Sequence, residues 1–338
     1  MSGSEVTRAG LRGHRPGREA AVGGDGQRPR RGRGGEPTVV PAAQPTSYYG
    51  LPVLNQVVWS ATDIAGYLFC GGLAGASSVL AAGAELTGRP ALARAGKLTA
   101  LGAISASVVA LVHDLGRPSR FLYMLRVFKP TSPMSVGSWL LATYGPLAGV
   151  AAATELTGRY PGIGRVATRL AALVGPGVAA YTAVLLTDTA VPAWHEGYRE
   201  MPFVFVGSAA VAAGGAGLLA APAHQAGPAR NAALLGAVLE LAATERMRRR
   251  MGELVAEPYQ QGRSGRLMRA AKVLTLAGAL GAAVFGGRSR AAAALAGVAL
   301  LAGSACTRFG VFHAGRASAA DPKYTVVPQR ARLNQPKG

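Results

Sequence analysis

The chain has 338 residues of which only 15% are charged, yet its formal net charge at pH 7 is +20. So sparse and one-sided a set of charges is foreign to an ordinary soluble domain and leaves two classes. One is a nucleic-acid binder with a basic surface; the other is a membrane protein whose Lys and Arg gather on one side of the bilayer. The placement of the charges along the chain favours the second.

Residues 1–49 contain no apolar stretch, are rich in Arg, Gly and Pro, and carry eight Arg. They read as a disordered cytoplasmic tail and lack the apolar core of a signal peptide. A solvated tail explains this composition more simply than contact with RNA or anionic lipid does, so no nucleic-acid partner is assigned. Residues 57–83 (VVWSATDIAGYLFCGGLAGASSVLAAG) then hold a single charge, Asp63, over more than the roughly 20 residues that a spanning helix needs. Similar runs follow at about 96–114, 135–154, 170–188, 202–222, 230–244, 270–287 and 290–307, which makes eight spans. A soluble Ala-rich bundle would show polar faces at helical period, and these runs show none. Small residues such as Gly71, Gly75, Gly214 and Gly217 suit close helix packing in lipid.

The expected fold class is therefore an all-α integral membrane protein, a bundle of about eight transmembrane helices. Its parts are a tail over 1–49, a transmembrane domain over 50–310 and a polar C-terminal tail over 311–338. Assigning Lys and Arg to alternate sides places 27 of the 36 with the two termini and nine on the opposite side, which predicts that both termini are cytoplasmic. A short repeat accompanies this topology: ELTGR occurs at Glu85–Arg89 and again at Glu155–Arg159, closing spans 1 and 3. Either spans 1 and 2 are duplicated as spans 3 and 4, or two Ala-rich helix ends match by chance.

Cys70 and Cys306 lie alone in separate spans, without the spacing of an iron–sulfur site, and no histidine falls at mid-span. The expectation is a chain with no metal or haem of its own. Polar groups instead gather at the predicted cytoplasmic helix ends. Asp63 lies about 9 Å inside span 1 at 1.5 Å per residue, with Tyr67 at i+4 on the same face. His113 and Asp114 end span 2, Tyr181 and Asp188 occupy the last turns of span 4, and Trp194, His195 and Glu196 follow in the next link. An intramembrane carboxylate costs about 2.5 to 3.5 kcal/mol on insertion scales, which makes Asp63 and Glu240 functional candidates. The plainer roles are an Asp114–Arg117 ion pair, Trp194 as an interfacial anchor and His195 as a solvated loop residue.

The strings HDLGRPSRFLYMLRVFKPTSPMSVGSW (113–139), YTAVLLTDTAVPAWHEGYREMPFVFVGSA (181–209) and YYGLPVLNQVVW with DIAGYLFCGGLAGASS (48–78) resemble the NrfD/polysulfide reductase membrane-subunit family over about 48–285. The resemblance implies a quinone-interacting anchor of a complex iron–sulfur molybdoenzyme, without a redox metal of its own. It would dock a ferredoxin-like [4Fe–4S] subunit that is wired to a molybdopterin catalytic subunit. The family pattern points to Asn55, Gln56 and Tyr181 for the quinone, and Asp63 and Tyr67 join them on the face of span 1. Some relatives carry a His at the start of helix 1, which this chain lacks. Asp114, with His113 beside it, is assigned proton exchange with the headgroup, and Arg117 would hold its charge and orientation. Asp188 and Glu240 are assigned to proton transfer. The link 115–134 would close the pocket with its first turn and present Arg120, Arg126 and Lys129 with Phe121, Tyr123 and Phe128 to the iron–sulfur subunit, alongside Trp194 and His195. Charge counting places these partners on the cytoplasmic face, and analogy suggests a formate dehydrogenase or polysulfide reductase type of complex coupled to menaquinone. Two other classes stay open: a proton-coupled transporter using Asp63, Asp188 and Glu240, and a structural anchor without an active quinone site.

Overall fold

The computed structural model describes residues 5–7, 10–12, 53–115 and 118–333. Two compact units result, one formed by the termini (Met1–Val57 with Arg316–Gly338) and one by Val58–Gly315. In the terminal unit, β1 (Glu5–Thr7) pairs antiparallel with β2 (Gly10–Arg12). The rest of the predicted tail over 1–49 lies outside the described residues.

The larger unit is helical: α1 (Ala61–Leu86), α2 (Pro90–Asp114), α3 (Pro133–Thr157), α4 (Pro161–Thr187), the single turn α5 (Pro192–His195), α6 (Met201–Ala220), α7 (Gly227–Ala256), α8 (Gly262–Phe285) and α9 (Arg290–Ala320). A last helix, α10 (Lys323–Leu333), follows near the C-terminus. Among the described residues, seven helices are long and apolar enough to cross a bilayer: α1, α2, α3, α4, α6, α8 and α9. The chain is thus a multi-pass membrane protein. The predicted span 230–244 became the first half of the 30-residue α7. Arg230, Glu240 and the cluster Arg246, Arg248, Arg249 and Arg250 make that helix too polar to qualify by composition.

Local chemistry sets the helix starts. The Ser60 hydroxyl accepts the Asp63 N–H at 3.3 Å and caps α1, so this helix begins four residues after the predicted 57. Pro90, Pro133 and Pro161 open α2, α3 and α4, where a missing N–H costs nothing. Helix α2 starts six residues earlier than the predicted 96, at Pro90, and its cation Lys97 is neutralised. Its ammonium, only 6% exposed, lies 2.5 Å from Glu85 and 2.8 Å from Glu155. The two ELTGR glutamates therefore meet on one lysine.

At its far end α9 runs well past the predicted 307. Arg308, counted among the C-terminal cations, is fully buried inside the helix. Its Nη2 donates to the Phe205 carbonyl at 2.7 Å, and the guanidinium sits 3.8 Å from the Phe205 ring centroid. Cation–π and hydrogen-bond contacts make that burial tolerable.

Small residues permit the packing. A Cβ on Gly75 of α1 would collide with the Gly175 carbonyl of α4, and the reverse also holds. Beside this crossing the Tyr144 hydroxyl donates to the Ala74 carbonyl at 2.6 Å and meets Ser78 Oγ at 2.6 Å, tying α3 to α1. Helices α6 and α7 run antiparallel, Gly207 lying against Gly236 and Gly214 against Ala233.

Candidate functional site

The chain alternates direction, so the start of α1, the end of α2, the start of α3 and the end of α4 share one end of the bundle. They enclose a cleft of about 100 Å³. Its walls are Trp59, Ile64, Tyr67 and Leu68 from the first helix, Leu111 and Asp114 from the second, and Met124 from the following link. Met134, Gly137, Ser138 and Leu141 come from α3, and Tyr181, Leu185 and Leu186 from α4. The lining is mostly apolar, with a few polar groups placed among it, the ordinary composition of a small-molecule site.

The Tyr181 hydroxyl is buried and has no hydrogen-bond partner among the described residues. A buried hydroxyl left unpaired costs about 1 to 3 kcal/mol, so this atom is a standing request for an acceptor. Gly137 makes the ring's position possible: a Cβ there would collide with Cε2 and Cδ2 of Tyr181. Gly137→Ala is expected to displace the Tyr181 ring, weakening ligand binding in the cleft with little change in helix content. A titration of the variant with a quinone analogue measures this, and unaltered affinity would separate the ring's position from binding.

Asp114 lines the cleft, and its Oδ1 accepts the Ser60 backbone N–H at 3.1 Å. The end of α2 is thereby pinned to the start of α1. Neighbouring side chains on a helix diverge, and His113 accordingly turns away: its Nδ1 lies 3.1 Å from Asp63 Oδ2. The imidazole is 76% exposed against 21% for the Asp63 carboxylate. Asp63, expected beside the ligand with Tyr67, is thus not among the lining residues and pairs with His113 instead. Arg117 lies outside the described residues. Asn55 and Gln56 belong to the terminal unit and are exposed there.

Two residues assigned to proton transfer lie elsewhere. Asp188 is exposed at the C-terminal cap of α4. Glu240 is buried on α7, accepts from the Thr307 hydroxyl at 2.5 Å through Oε1, and has no hydrogen-bond partner at Oε2 among the described residues. It lines a different cavity, of about 450 Å³, bounded also by Thr244, Arg248, Tyr259, Met268, Arg269, Lys272 and Thr307.

The expected docking link folds as a 3₁₀ segment over Pro118–Leu125 followed by a turn. Ser135 fastens it: its hydroxyl donates to the Val127 carbonyl at 3.0 Å and accepts the Lys129 N–H at 2.9 Å. Phe128 packs edge-on to Trp139 with centroids 6.2 Å apart, and Arg126 lies 4.3 Å from the Tyr123 ring centroid. Leu122, Tyr123, Val127 and Phe128 are all more than half exposed. Arg126 and Lys129 are exposed beside them, whereas Arg120 is described in its backbone only.

His195 is also exposed, with Nδ1 3.1 Å from the Thr187 carbonyl. Trp194, expected on the docking face, is instead fully buried. Its Nε1 donates to the Val311 carbonyl at 2.8 Å, and its ring stacks on Trp59 at 6.1 Å. It backs the cleft wall from behind. Tyr259 holds the same α5 turn by donating to the Ala193 carbonyl at 2.8 Å, and burial pushes its phenol pKa upward so that it stays a donor.

Sequence reasoning missed Trp59, Gly137 and Ser138 as lining residues. The last two lie inside the S-V-G-S-W stretch already singled out, so the motif carried the signal without the role.

Residues 52–244 match the family model described as polysulphide reductase, NrfD. The match covers more than half of the chain and includes every residue that lines the smaller cleft. No curated protein matches the chain.

Proposed function

The chain belongs to the NrfD polysulphide reductase family, membrane subunits of polysulfide-reductase-type complexes that partner with iron–sulfur and molybdoenzyme subunits, and from that premise we propose that the Tyr181–Asp114 cleft binds quinone or quinol. The observation that carries this is the unpartnered Tyr181 hydroxyl buried in a mostly apolar cleft. A quinone carbonyl is an acceptor without a charge and suits both features. Reduction of a quinone takes two electrons and two protons, one at each oxygen, and oxidation of the quinol returns them. Electrons would pass between the ligand and a docked ferredoxin-like [4Fe–4S] subunit wired to a molybdopterin subunit.

The chain's own residues supply position and protons. Tyr181 donates to one ligand oxygen. Asp114, at the end of α2, exchanges a proton with the other, and the exposed His113–Asp63 pair stands at the same helix ends in contact with water. Trp59 and the Leu and Met walls exclude water from the ring. Asp188 and Glu240 stay as proton-exchange groups away from this cleft, Asp188 at the surface and Glu240 inside the bundle.

Eight crossings remain the favoured topology. Helix α7 runs antiparallel along α6 from Ala233 to Glu240, and its Arg250 reaches Glu200, at the start of α6, at 2.8 Å, so α7 retraces the whole of a spanning helix. With Arg308 withdrawn, the terminal side still holds 26 Lys and Arg against nine, which supports cytoplasmic termini and cytoplasmic partners in the plasma membrane.

Purification of the tagged chain in mild detergent tests the proposal. Expected are co-purifying iron–sulfur and molybdopterin subunits whose clusters respond to quinol analogues. Arg126→Glu with Lys129→Glu is expected to release the iron–sulfur subunit, because each reversal turns an attraction to an acidic partner into repulsion. A solitary, quinone-insensitive protein would overturn the proposal in favour of a transporter or a bare anchor.

A further inference from the structure

We propose that the larger cavity between α7 and α8 is a binding site for the headgroup of an anionic phospholipid. This rests on the membrane assignment of the helices and is independent of the quinone cleft.

The cavity holds about 450 Å³ and opens at the end of the bundle where α1 begins. Three cations line it, Arg248 from α7 with Arg269 and Lys272 from α8, against two carboxylates, Glu240 and Glu245. The two carboxylates leave an excess of one cation on the lining. Glu245 already receives Arg248 at 3.2 Å and Arg249 at 2.8 Å, and Glu240 lies at the buried floor with the Thr307 hydroxyl on Oε1.

The donors outnumber their acceptors. Arg248 Nε is buried and has no partner among the described residues, although its Nη1 reaches Glu245. Arg269 gives Nη1 to the Gln260 carbonyl at 3.1 Å, while its side chain and that of Lys272 are exposed. A phosphate diester supplies the missing acceptors and the missing negative charge together.

Helix α8 identifies the phosphate as a lipid's. Its first turns present exposed Arg263, Arg266, Arg269 and Lys272. Directly below, Val273, Leu276, Leu280 and Val284 are 64%, 39%, 59% and 51% exposed. A cationic belt above an apolar stripe on one helix is the profile of the headgroup–acyl boundary, and basic pockets between spanning helices suit anionic headgroups. The acyl chains would lie along the apolar stripe.

The test uses the full-length protein in neutral detergent, titrated with phosphatidylglycerol, phosphatidylcholine or inorganic phosphate, and read by native mass spectrometry and by Tm. Phosphatidylglycerol is expected to form a retained adduct and raise Tm, with phosphatidylcholine and phosphate doing neither. The triple variant Arg248→Gln, Arg269→Gln and Lys272→Gln is expected to bind phosphatidylglycerol about a hundredfold more weakly. Lys272→Gln alone, an exposed change that disturbs no packing, is expected to lose about fivefold, while Arg165→Gln, exposed in the first turns of α4 at the opposite end of the bundle, leaves binding unchanged. Equal binding of the two lipids, the same protection by phosphate alone, or full affinity in Lys272→Gln would overturn the proposal.

Discussion

Tyr181→Phe is expected to depress quinone-linked turnover sharply while leaving the protein as stable as before or more so. The two effects have opposite signs because the hydroxyl is buried without a partner among the described residues. Removing it relieves a desolvation cost of about 1 to 3 kcal/mol and also deletes the donor that the ligand oxygen needs. A purely structural tyrosine would show the reverse, a loss of stability with turnover intact. Asp114→Asn is the companion change. The amide oxygen can still accept the Ser60 N–H, now held at 3.1 Å, so the α1–α2 junction should persist. A group that cannot exchange a proton nevertheless forfeits roughly 10²- to 10⁴-fold in rate. Quinol-dependent reduction of the partner clusters measures turnover, and thermal unfolding in detergent measures stability. Wild-type turnover in both variants would remove these residues from the site.

Lys97→Ala is expected to be the most destabilising single change at the opposite end of the bundle. The lysine is almost wholly buried and holds Glu85 and Glu155 together. Breaking a buried ion pair by removing one partner costs about 3 to 5 kcal/mol. The carboxylates keep 19% and 28% exposure, which places the loss near the lower figure. Glu85→Gln and Glu155→Gln singly should cost much less, since the other carboxylate still answers the charge. Adding both to Lys97→Ala should recover much of the loss, because no ion then remains unpaired. Denaturant unfolding of the four variants tests this, and additive losses would show that the three residues do not act as a unit.

The Lys97 cluster also bears on the repeated ELTGR. Two identical helix ends place identical glutamates around a single lysine from α2, so the recurrence has a structural consequence whatever its origin. The pentapeptide was visible in the sequence, but nothing local linked it to a lysine 12 residues after one copy and 58 before the other.

Much of the architecture was legible because its causes are local. Apolar length marks a span wherever it occurs, which identified the helices, whereas the starts set by Ser60, Pro90 and Pro161 follow capping chemistry that apolar length does not register. Where charge had to be judged, locality failed. Arg308 was placed outside the last span because its burial is made tolerable by distant partners, the Phe205 carbonyl and ring. Helix α7 shows the same limit: its cationic second half hides an apolar first half that packs along the full run of α6.

The site divides the same way. Residue type and motif alone brought Asp114, Tyr67 and Tyr181 forward as candidates, and the structure gathers these three around one cleft. Sequence by itself determined a multi-pass helical membrane protein of this family and located its apolar spans, since those follow from composition and motif spacing, though α2, α4 and α8 start six to nine residues before the predicted positions. Tertiary structure alone decided that Asp63 pairs with His113, that Trp194 is core, and that Glu240 faces a second cavity. Helices built from Ala, Gly and Leu are apolar on every side and carry no periodic signal of which face turns inward, so only packing could choose.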